Sequence, residues 1–301
     1  MAKVTIETLD GVKAEFIHGD GVSLPKVFCN ILPYGEDYSR HVQDIKEMHI
    51  KPDDLCLITY PKCGSHWGWE IISMLLKGNT DYEKQSKENV FLDFIPAVKL
   101  KERESPRILN SHFMPRLLPK EMIENKTKIV HLMRNPKDAF VSMFYHNRAE
   151  QPNSDMAKDF KTYLPFVLGT YGVCLYYNFF DFIKSWEEFT QQHPEQILNL
   201  YFEDLKEDPE REIRKINKFL GTERDDELIH QIADACNFAN LKKADTEIKA
   251  PADGWPKLDF MYRKGEVGDW KNHFTVSLNE EMDKWIGENG RGSHIKFRYT
   301  L

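Results

Sequence analysis

Tyr60-Pro61-Lys62-Cys63-Gly64-Ser65-His66-Trp67 is the stretch that decides the fold, and it follows the apolar run Leu55-Cys56-Leu57-Ile58. Apolar positions in residues 69–76 repeat with the period of a helix, and Gly78 ends that pattern. We therefore predict a strand, a tight loop and a helix. Such a loop directs several backbone N–H groups and the positive end of the helix dipole at one point, and Lys62 adds a full positive charge. This point is suited to a phosphate.

The order of residues in the loop separates it from the common nucleotide-binding P-loop. That motif, Gly-x-x-x-x-Gly-Lys-Ser/Thr, places its Lys after the last Gly, whereas Lys62 precedes Gly64 by two residues. A nucleotide or small-molecule kinase would need the Lys-Ser/Thr pair of that motif together with a magnesium-binding carboxylate, and this stretch lacks the pair. The loop therefore predicts a phosphate site of a different kind.

Strand-like and helix-like segments alternate through the middle of the chain. The predicted strands are residues 55–60, 107–110, 128–133 and 196–202. Predicted helices follow Asn135-Pro136, span residues 171–189, and run from Asp208-Pro209 to Gly221. We predict an α/β fold in which one domain, residues 1–301, has a central parallel β-sheet flanked by helices on both faces. Ligands are then expected at the carboxyl ends of the strands. Residues 1–50 predict only a short amphipathic helix at 37–45.

The composition is that of an ordinary globular protein, with 41% hydrophobic and 30% charged residues. A net charge of −7 argues against a nucleic-acid partner, because nucleic-acid binders normally carry a basic face. We expect no membrane attachment, since the N-terminus lacks an apolar signal segment and no run approaches the ~20 apolar residues of a span. The five cysteines include no Cys-x-x-Cys pair, so we expect neither disulfides nor zinc, and a reducing, cytoplasmic location.

Three parts of the chain combine positive charge with a loop or a strand end, where proteins bind anions. They are residues 62–67, Arg134 with the helix that follows it, and Arg263-Lys264-Gly265. Taken alone, Arg134 is equally explained by an ion pair with Asp138, and Arg263-Lys264 by a solvated charge pair. Together, the three places indicate a ligand with two separated phosphate groups.

His112 follows a predicted strand and should face the same edge of the sheet as the Lys62 loop. A histidine at this place is a candidate general base, because its ordinary pKa is close to neutral pH. The alternative is a structural histidine held by hydrogen bonds.

Three segments of the chain match a set of sequence signatures. Thr59-Tyr60-Pro61-Lys62-Cys63-Gly64-Ser65-His66-Trp67 resembles Thr-Tyr-Pro-Lys-Ser-Gly-Thr-Thr-Trp, the first signature of the cytosolic sulfotransferases. Arg263-Lys264-Gly265 with Gly268-Asp269-Trp270-Lys271 resembles the second, and Arg134-Asn135-Pro136-Lys137-Asp138 with Ser142 resembles the third. The similarity covers residues 52–297. These enzymes transfer a sulfuryl group from 3′-phosphoadenosine 5′-phosphosulfate (PAPS), a ligand with two separated phosphate groups.

The resemblance implies a PAPS-dependent sulfotransferase that needs no metal ion and releases 3′-phosphoadenosine 5′-phosphate (PAP). The residues implied on the 5′ side of PAPS are Lys62, Cys63, Gly64, Ser65 and His66, and Lys62 would also stabilise charge on the leaving oxygen. Those implied around the 3′-phosphate are Arg134, Ser142, Arg263, Lys264 and Gly265. The adenine would stack between Trp67 and Phe238, and His112 would take the proton of the acceptor. The alternative is a non-catalytic PAPS- or PAP-binding protein.

The chain departs from the family pattern inside these signatures. Cys63 replaces a usual Ser, Ser65 replaces Thr, and His66 stands where the family usually has Thr. Because protonated His66 would add a positive charge, we predict that PAPS binds more strongly as the pH falls through the range in which histidine titrates.

Three further departures lie outside the loop. Asn110 stands where many members have a Lys that assists the catalytic histidine. Phe202 replaces a Tyr, and Cys236 a Thr, at positions that contact adenine. We expect activity with less electrostatic help and looser recognition of the base.

The resemblance also suggests the acceptor pocket and the partner chain. The pocket would be lined by Phe28, residues 91–95, His146, and Trp255 or Phe260, and a phenol, steroid, other alcohol or amine acceptor remains open. A short motif, Lys271, Thr275, Val276 and Glu280, resembles the family's dimerisation segment and predicts a homodimer with a small interface. A Golgi carbohydrate sulfotransferase would need an N-terminal membrane anchor, which this sequence does not predict.

Overall fold

The computed structural model of this chain describes residues 2–8, 11–250 and 261–301. Trp255 and Phe260, which we predict for the acceptor pocket, lie outside these residues. The strands of the described part are β1 (Ala2–Glu7), β2 (Lys13–Gly19), β3 (Val22–Pro25), β4 (Leu55–Thr59), β5 (Ile108–Ser111), β6 (Lys128–Met133) and β7 (Ile197–Tyr201).

Helices cover both faces of the central sheet. The α-helices are α1 (Tyr38–Lys46), α2 (Ser65–Lys77), α3 (Ala97–Lys101), α4 (Lys120–Glu124), α5 (Pro136–Glu150), α6 (Phe160–Leu168), α7 (Phe179–Gln192), α8 (Phe202–Glu207), α9 (Pro209–Leu220), α10 (Asp226–Ala235), α11 (Phe238–Glu247) and α12 (Val276–Asn289). Short 3-10 turns lie at Lys26–Asn30, Lys87–Val90, Pro115–Leu117, Asp155–Ala157 and Asp269–Asn272.

The central sheet has four parallel strands in the order β5-β4-β6-β7. Leu57 in β4 lies opposite Asn110 of β5 on one side and Val130 of β6 on the other. Because the four strands run in one direction, the residues that follow them lie at a single edge of the sheet. The predicted α/β fold with a parallel sheet is confirmed.

The side chains of β4 alternate between two buried cores, as expected for a strand covered on both faces. Cys56 and Ile58 belong to the core formed with α5 and α7. Leu55 and Leu57 belong to the core formed with α2 and α9. This double burial holds the strand ends, and hence the loops that follow them, in fixed positions.

The first three strands form a second, antiparallel sheet, which the sequence analysis did not predict. Buried Ile6, Ala14 and Phe16 alternate with exposed charged residues, and this alternation was the signal that could have found it. The sheet shares the core of α5 and α7. It also reaches the central part of the chain, because Ser23 and Tyr176 exchange two backbone hydrogen bonds of 3.0 and 2.7 Å.

The helix ends show which local signals were reliable. Asn135 caps α5 and Pro136 is its first residue, and Asp208 and Gly221 bound α9, all as predicted. The helix predicted at residues 171–189 is wrong at its start. It begins at Phe179, because the side chain of Asn178 accepts hydrogen bonds from the backbone at the first turn and caps it there.

Candidate active site

Each strand of the central sheet is followed by a residue with a candidate role. Lys62 lies in the loop after β4, His112 directly follows β5, Arg134 follows β6 and Phe202 follows β7. All four line one cavity. The sheet therefore brings together residues that are up to 140 positions apart in the sequence.

Most of the predicted site residues line this cavity. They are Lys62, Gly64, Ser65, His66, Trp67, His112, Arg134, Ser142, Phe238, Arg263, Lys264 and Gly265. Cys63 differs, because its side chain is fully buried beneath the loop and only its backbone can face a ligand.

The loop between β4 and α2 depends on two residues with left-handed backbone conformation. Lys62 has φ +68° and Gly64 has φ +104°. A Cβ added to Gly64 would lie 3.0 Å from the ring of Phe202 and 3.1 Å from Leu132, so a side chain here is both strained and crowded. The turn delivers the chain into α2 at Ser65, and the free N–H groups of that helix end become available to an anion.

Lys62 places its ammonium in a half-buried position. Its Nζ lies 3.4 Å from the sulfur of Met261. Burial lowers the pKa of Lys62 to about 8, the charge of Glu150 raises it in part, and the charges of Lys87 and Arg134 lower it further. A desolvated cation interacts strongly with any negative charge that develops beside it.

His112 is held in one tautomer by the backbone. Its Nδ1 donates to the carbonyl oxygen of Thr59 at 2.8 Å, so Nε2 keeps the lone pair. The backbone N–H of His112 donates to Asp93, 3.1 Å from Oδ2, which fixes the end of β5. Burial, followed by the charge of Lys87, lowers the pKa of His112 to about 3, and the ring is neutral near pH 7.

Arg134 connects the loop after β4 to residues 263–271, which we call the C-terminal loop. Its guanidinium donates to the carbonyls of Lys62 and Glu266 at 3.3 and 2.8 Å and lies 4.2 Å from the ring centre of Phe202. Asp138, the alternative partner for Arg134, instead accepts hydrogen bonds from other groups, including two backbone N–H groups of the C-terminal loop. Arg134 is therefore positioned by uncharged groups.

Arg263 and Lys264 share one buried carboxylate. They lie 2.6 and 2.5 Å from Asp269, and His273 lies 3.1 Å from it. Burial raises the pKa of Asp269, but hydrogen bonds from Lys264, Asn272 and Arg263 outweigh it and hold the pKa well below its usual range. Both cations are thus held against one buried carboxylate at the cavity wall, while the side chain of Lys264 stays 42% exposed.

Aromatic rings form the walls of the same end of the cavity. Trp67 meets Phe202 edge-on with ring centres 5.4 Å apart. Gly265 has φ +65°, and an added Cβ would lie 2.2 Å from the ring of Phe238. Gly265 therefore allows the C-terminal loop to pack directly against Phe238, a constraint that no other residue meets without displacement.

His66 does not stand alone in the loop. Its Nε2 lies 3.3 Å from Oε1 of Glu88, and its Nδ1 lies 3.4 Å from Oδ2 of Asp245. Both carboxylates are nearly buried. His66 therefore lies between two fixed carboxylates.

Aromatic side chains also surround His112 in this cavity, and its lining includes residues that the sequence did not predict. Phe28 and Phe91, both predicted, line it together with Tyr176. His146 is also present, with its Nε2 3.3 Å from Glu150, which was not predicted. Tyr176 could not be found from local sequence, because β3 brings it to the cavity. Glu150 follows His146 by one helical turn, and that spacing was a usable signal.

The residues present fit a ligand with two phosphate groups. The Nε atoms of Arg134 and Arg263 are buried and have no hydrogen-bond partner among the described residues. Buried donors of this kind are normally satisfied, so anionic oxygens of a ligand are their natural partners. Lys62 and the start of α2 offer a second set of donors near β4.

In residues 2–8, 11–250 and 261–301, no helix is both long and apolar enough to cross a bilayer. The same part of the chain holds no group of three or more His, Cys, Asp or Glu side chains arranged to hold a metal ion.

Comparison with known proteins places the chain in a family. Residues 52–294 match the sulfotransferase domain. The chain is 35% identical to sulfotransferase 1E1 of Bos taurus, with 90% of this chain and 94% of that protein covered. It is 34% identical to sulfotransferase 1C2 of Homo sapiens, with coverages of 85% and 90%.

Two solved structures share the fold at lower identity. Mouse sulfotransferase SULT7A1 complexed with PAP has a TM-score of 0.73 at 24% identity, covering 93% of this chain and 96% of that chain. Retinol dehydratase in complex with androsterone and PAP has a TM-score of 0.71 at 20% identity, with coverages of 98% and 92%. The family match spans most of the chain, and the relatives exceed 30% identity over nearly their whole length. The chain therefore belongs to the sulfotransferase family and is a PAPS-dependent sulfotransferase.

Proposed function

We propose that the enzyme transfers a sulfuryl group from PAPS to a hydroxyl or amine of a small-molecule acceptor, with His112 as the general base. One observation carries the proposal: Lys62 and His112 lie at the carboxyl ends of neighbouring strands and line the same cavity. The hydrogen bond from His112 to Thr59 leaves Nε2 as the basic nitrogen. A cation for the leaving oxygen and a base for the acceptor thus share one site.

PAPS binding uses the cationic half of the cavity. The loop after β4 and the start of α2 hold the 5′ side, and the rings of Trp67 and Phe238 enclose the adenine. The proposed groups around the 3′-phosphate are Arg134, Ser142, Arg263, Lys264 and Gly265. The buried Nε atoms of Arg134 and Arg263, which lack a described partner, support this placement. When bound, PAPS supplies a sulfuryl group on a phosphate leaving group.

The chemistry of the protein groups follows from their charge states. Neutral His112 accepts the proton of the acceptor at Nε2 while the acceptor atom bonds to sulfur. Lys62 and the N–H groups of the loop stabilise the negative charge that appears on the leaving phosphate oxygen. This division of roles needs no further protein nucleophile.

The acceptor end of the cavity favours a ring-bearing alcohol, phenol or amine. Phe28, Phe91 and Tyr176 provide apolar walls that suit a flat or fused ring system. The His146–Glu150 pair adds one polar wall. We therefore expect acceptors that combine a ring with a second polar group to react better than simple aliphatic alcohols.

A homodimer through the segment after the C-terminal loop is part of the proposal. Lys271, Thr275, Val276 and Glu280 are exposed, and Val276 is 77% exposed at the first residue of α12. Sedimentation of the wild type at micromolar concentration is expected to show a dimer, and Val276→Glu a monomer that keeps its activity. A wild type that is only monomeric would contradict this part. All five cysteines are free, which suits the proposed cytoplasmic location.

The main experiment is a panel of phenols, steroids, alcohols and amines with sulfur-labelled PAPS, run with the wild type and His112→Ala. We expect transfer to at least one acceptor by the wild type and a loss of about 10²–10⁴-fold in His112→Ala, because general-base catalysis contributes on that order. The matched control is His131→Asn. His131 is buried in the next strand and bonded to Asn199, away from the cavity.

Two outcomes contradict the proposal in different ways. Transfer that survives His112→Ala would remove His112 as the base. A wild type that binds PAP tightly but transfers sulfate to no acceptor would favour the alternative, a non-catalytic PAPS- or PAP-binding protein. PAP affinity, measured by calorimetry on each variant, separates these outcomes from loss of folding.

A further inference from the structure

Lys87 is a buried lysine on the wall of the active-site cavity. Its side chain is 3% exposed, and it begins the turn Lys87–Val90. Burial of an ammonium is strongly unfavourable unless partners replace its water. A charge kept in such a place, on the wall of a reaction cavity, is a candidate for a role in the chemistry.

Contacts to its ammonium and to its backbone carbonyl hold Lys87 in place. Its Nζ lies 2.9 Å from Oε1 of Glu88 and 3.4 Å from Oδ1 of Asn110, and 4.9 Å from the ring centre of Phe91. Nδ2 of Asn110 also donates to the backbone oxygen of Lys87 at 2.8 Å. The ammonium has three donors, and Glu88 and Asn110 take two of them.

The same contacts place this ammonium beside His112. Asn110 and His112 are two positions apart along β5 and its end, so their side chains lie on one side of the strand. The ring of Phe91 contacts both Lys87 and His112, and its centre lies 4.9 Å from the ring centre of His112. Consistent with this closeness, the charge of Lys87 is the largest electrostatic cause, after burial, of the lowered pKa of His112.

The side chain of Asn110 contacts the ammonium of Lys87, which comes from another segment of the chain. We propose that Lys87 is a further catalytic residue. Asn110 positions the ammonium of Lys87 so that the third N–H donor of this ammonium contacts the sulfuryl oxygens during transfer. This inference rests on the proposed function.

The test compares Lys87→Met with the wild type. We expect kcat to fall about 10–100-fold while the affinity for PAP changes less than about threefold, because the contact is made in the transition state. Lys87→Arg should recover part of the loss. Lys128→Met is the matched control, since Lys128 is held by a carbonyl and lies near the ring of Phe219 at the opposite edge of the sheet.

Lys87→Met leaves the buried carboxylate of Glu88 without its cation, which can destabilise the fold. Two double variants are therefore needed. Lys87→Met with Glu88→Gln removes both charges and is expected to fold, with kcat still reduced about 10–100-fold. Lys87→Met with Asn110→Lys moves the ammonium to the strand, and we expect it to recover at least about tenfold of the loss. Thermal unfolding and PAP binding report the folded fraction of each.

The pH profile gives a readout that a structural role would not move. The titratable groups that face His112 are Lys87, Lys62, His146, Asp93 and Tyr176. Because the charge of Lys87 lowers the pKa of His112, its removal should raise that pKa and move the acidic limb of kcat/KM to higher pH.

The outcomes are distinguishable from those of the proposed function. If the wild type transfers no sulfate, the proposed function fails before Lys87 is tested. If the wild type transfers sulfate and the double variant of Lys87 and Glu88 keeps its kcat within about twofold, Lys87 has only a structural role and this inference is overturned. An unchanged acidic limb in Lys87→Met would contradict it as well.

Discussion

The cations at the two ends of the cavity have different partners. At the proposed 3′-phosphate end, Arg263 and Lys264 lie against the carboxylate of Asp269. At the proposed reaction end, where Lys62 and His112 lie, the ammonium of Lys62 contacts the sulfur of Met261, and burial lowers the pKa of Lys62 to about 8.

This difference shows how one cavity can both bind and react. A carboxylate-paired cation keeps a fixed geometry and a constant charge, which serves recognition of a permanent anion. Burial lowers the pKa of a desolvated lysine. Such a cation is stabilised most when negative charge develops beside it during the reaction. Substitutions at the two ends should therefore affect different kinetic constants.

The largest effect is expected at the reaction end. Lys62→Met should lower kcat about 10³-fold, because in the proposed mechanism it removes the principal cation for the leaving oxygen. Labelled-PAPS kinetics at saturating acceptor measure this, with Lys128→Met as the control. A loss below about tenfold in a folded variant would show that peptide N–H groups alone stabilise the leaving group.

A smaller effect on a different constant is expected at the 3′-phosphate end. Arg263→Gln should weaken PAP binding about 10–100-fold, as one charge-assisted hydrogen bond is worth about 1.5–3 kcal/mol. The value of kcat should stay within a few-fold of the wild type. Calorimetry with PAP and saturation kinetics give the two numbers, and a change confined to kcat would break the distinction between the two ends.

The pKa of Lys62 predicts that kcat/KM falls at alkaline pH. The ordinary pKa of 10.5 is lowered to about 8, so the free enzyme loses the charge of Lys62 as the pH rises through about 8. We expect kcat/KM to fall about tenfold per pH unit above that value. Lys62→Arg should move this limb far upward, because a guanidinium stays charged. A limb that is unchanged in Lys62→Arg belongs to another group.

The smallest effect is expected at His66. Glu88 and Asp245 offset the positive charge that His66 could offer a phosphate, so we expect PAP affinity to fall only about two- to fivefold in His66→Thr. Calorimetry with PAP on both proteins measures it. Equal affinity would remove His66 from the proposed phosphate site.

Local sequence predicted the parts of the site that follow strands. The apolar run before Lys62, the cap at Asn135 and the stop at Gly221 are short-range signals, and the structure has each of them where expected. The N-terminal sheet was missed although its strands alternate, because the strands are short and gain their burial against the core of α5 and α7. Glu88 and Lys87 gave no local signal, since a polar turn in sequence is normally solvated.

The sequence by itself determined which residues lie at the ends of the strands. Strand, cap and turn signals act over a few residues, so Lys62, His112 and Arg134 could be assigned to one edge before any contact was known. Only the tertiary structure decided how their charges are compensated. The pairing of His66 with Asp245, and of Lys87 with Asn110, joins residues 179 and 23 positions apart. Such contacts depend on how helices and turns pack over the sheet, which no short stretch of sequence encodes.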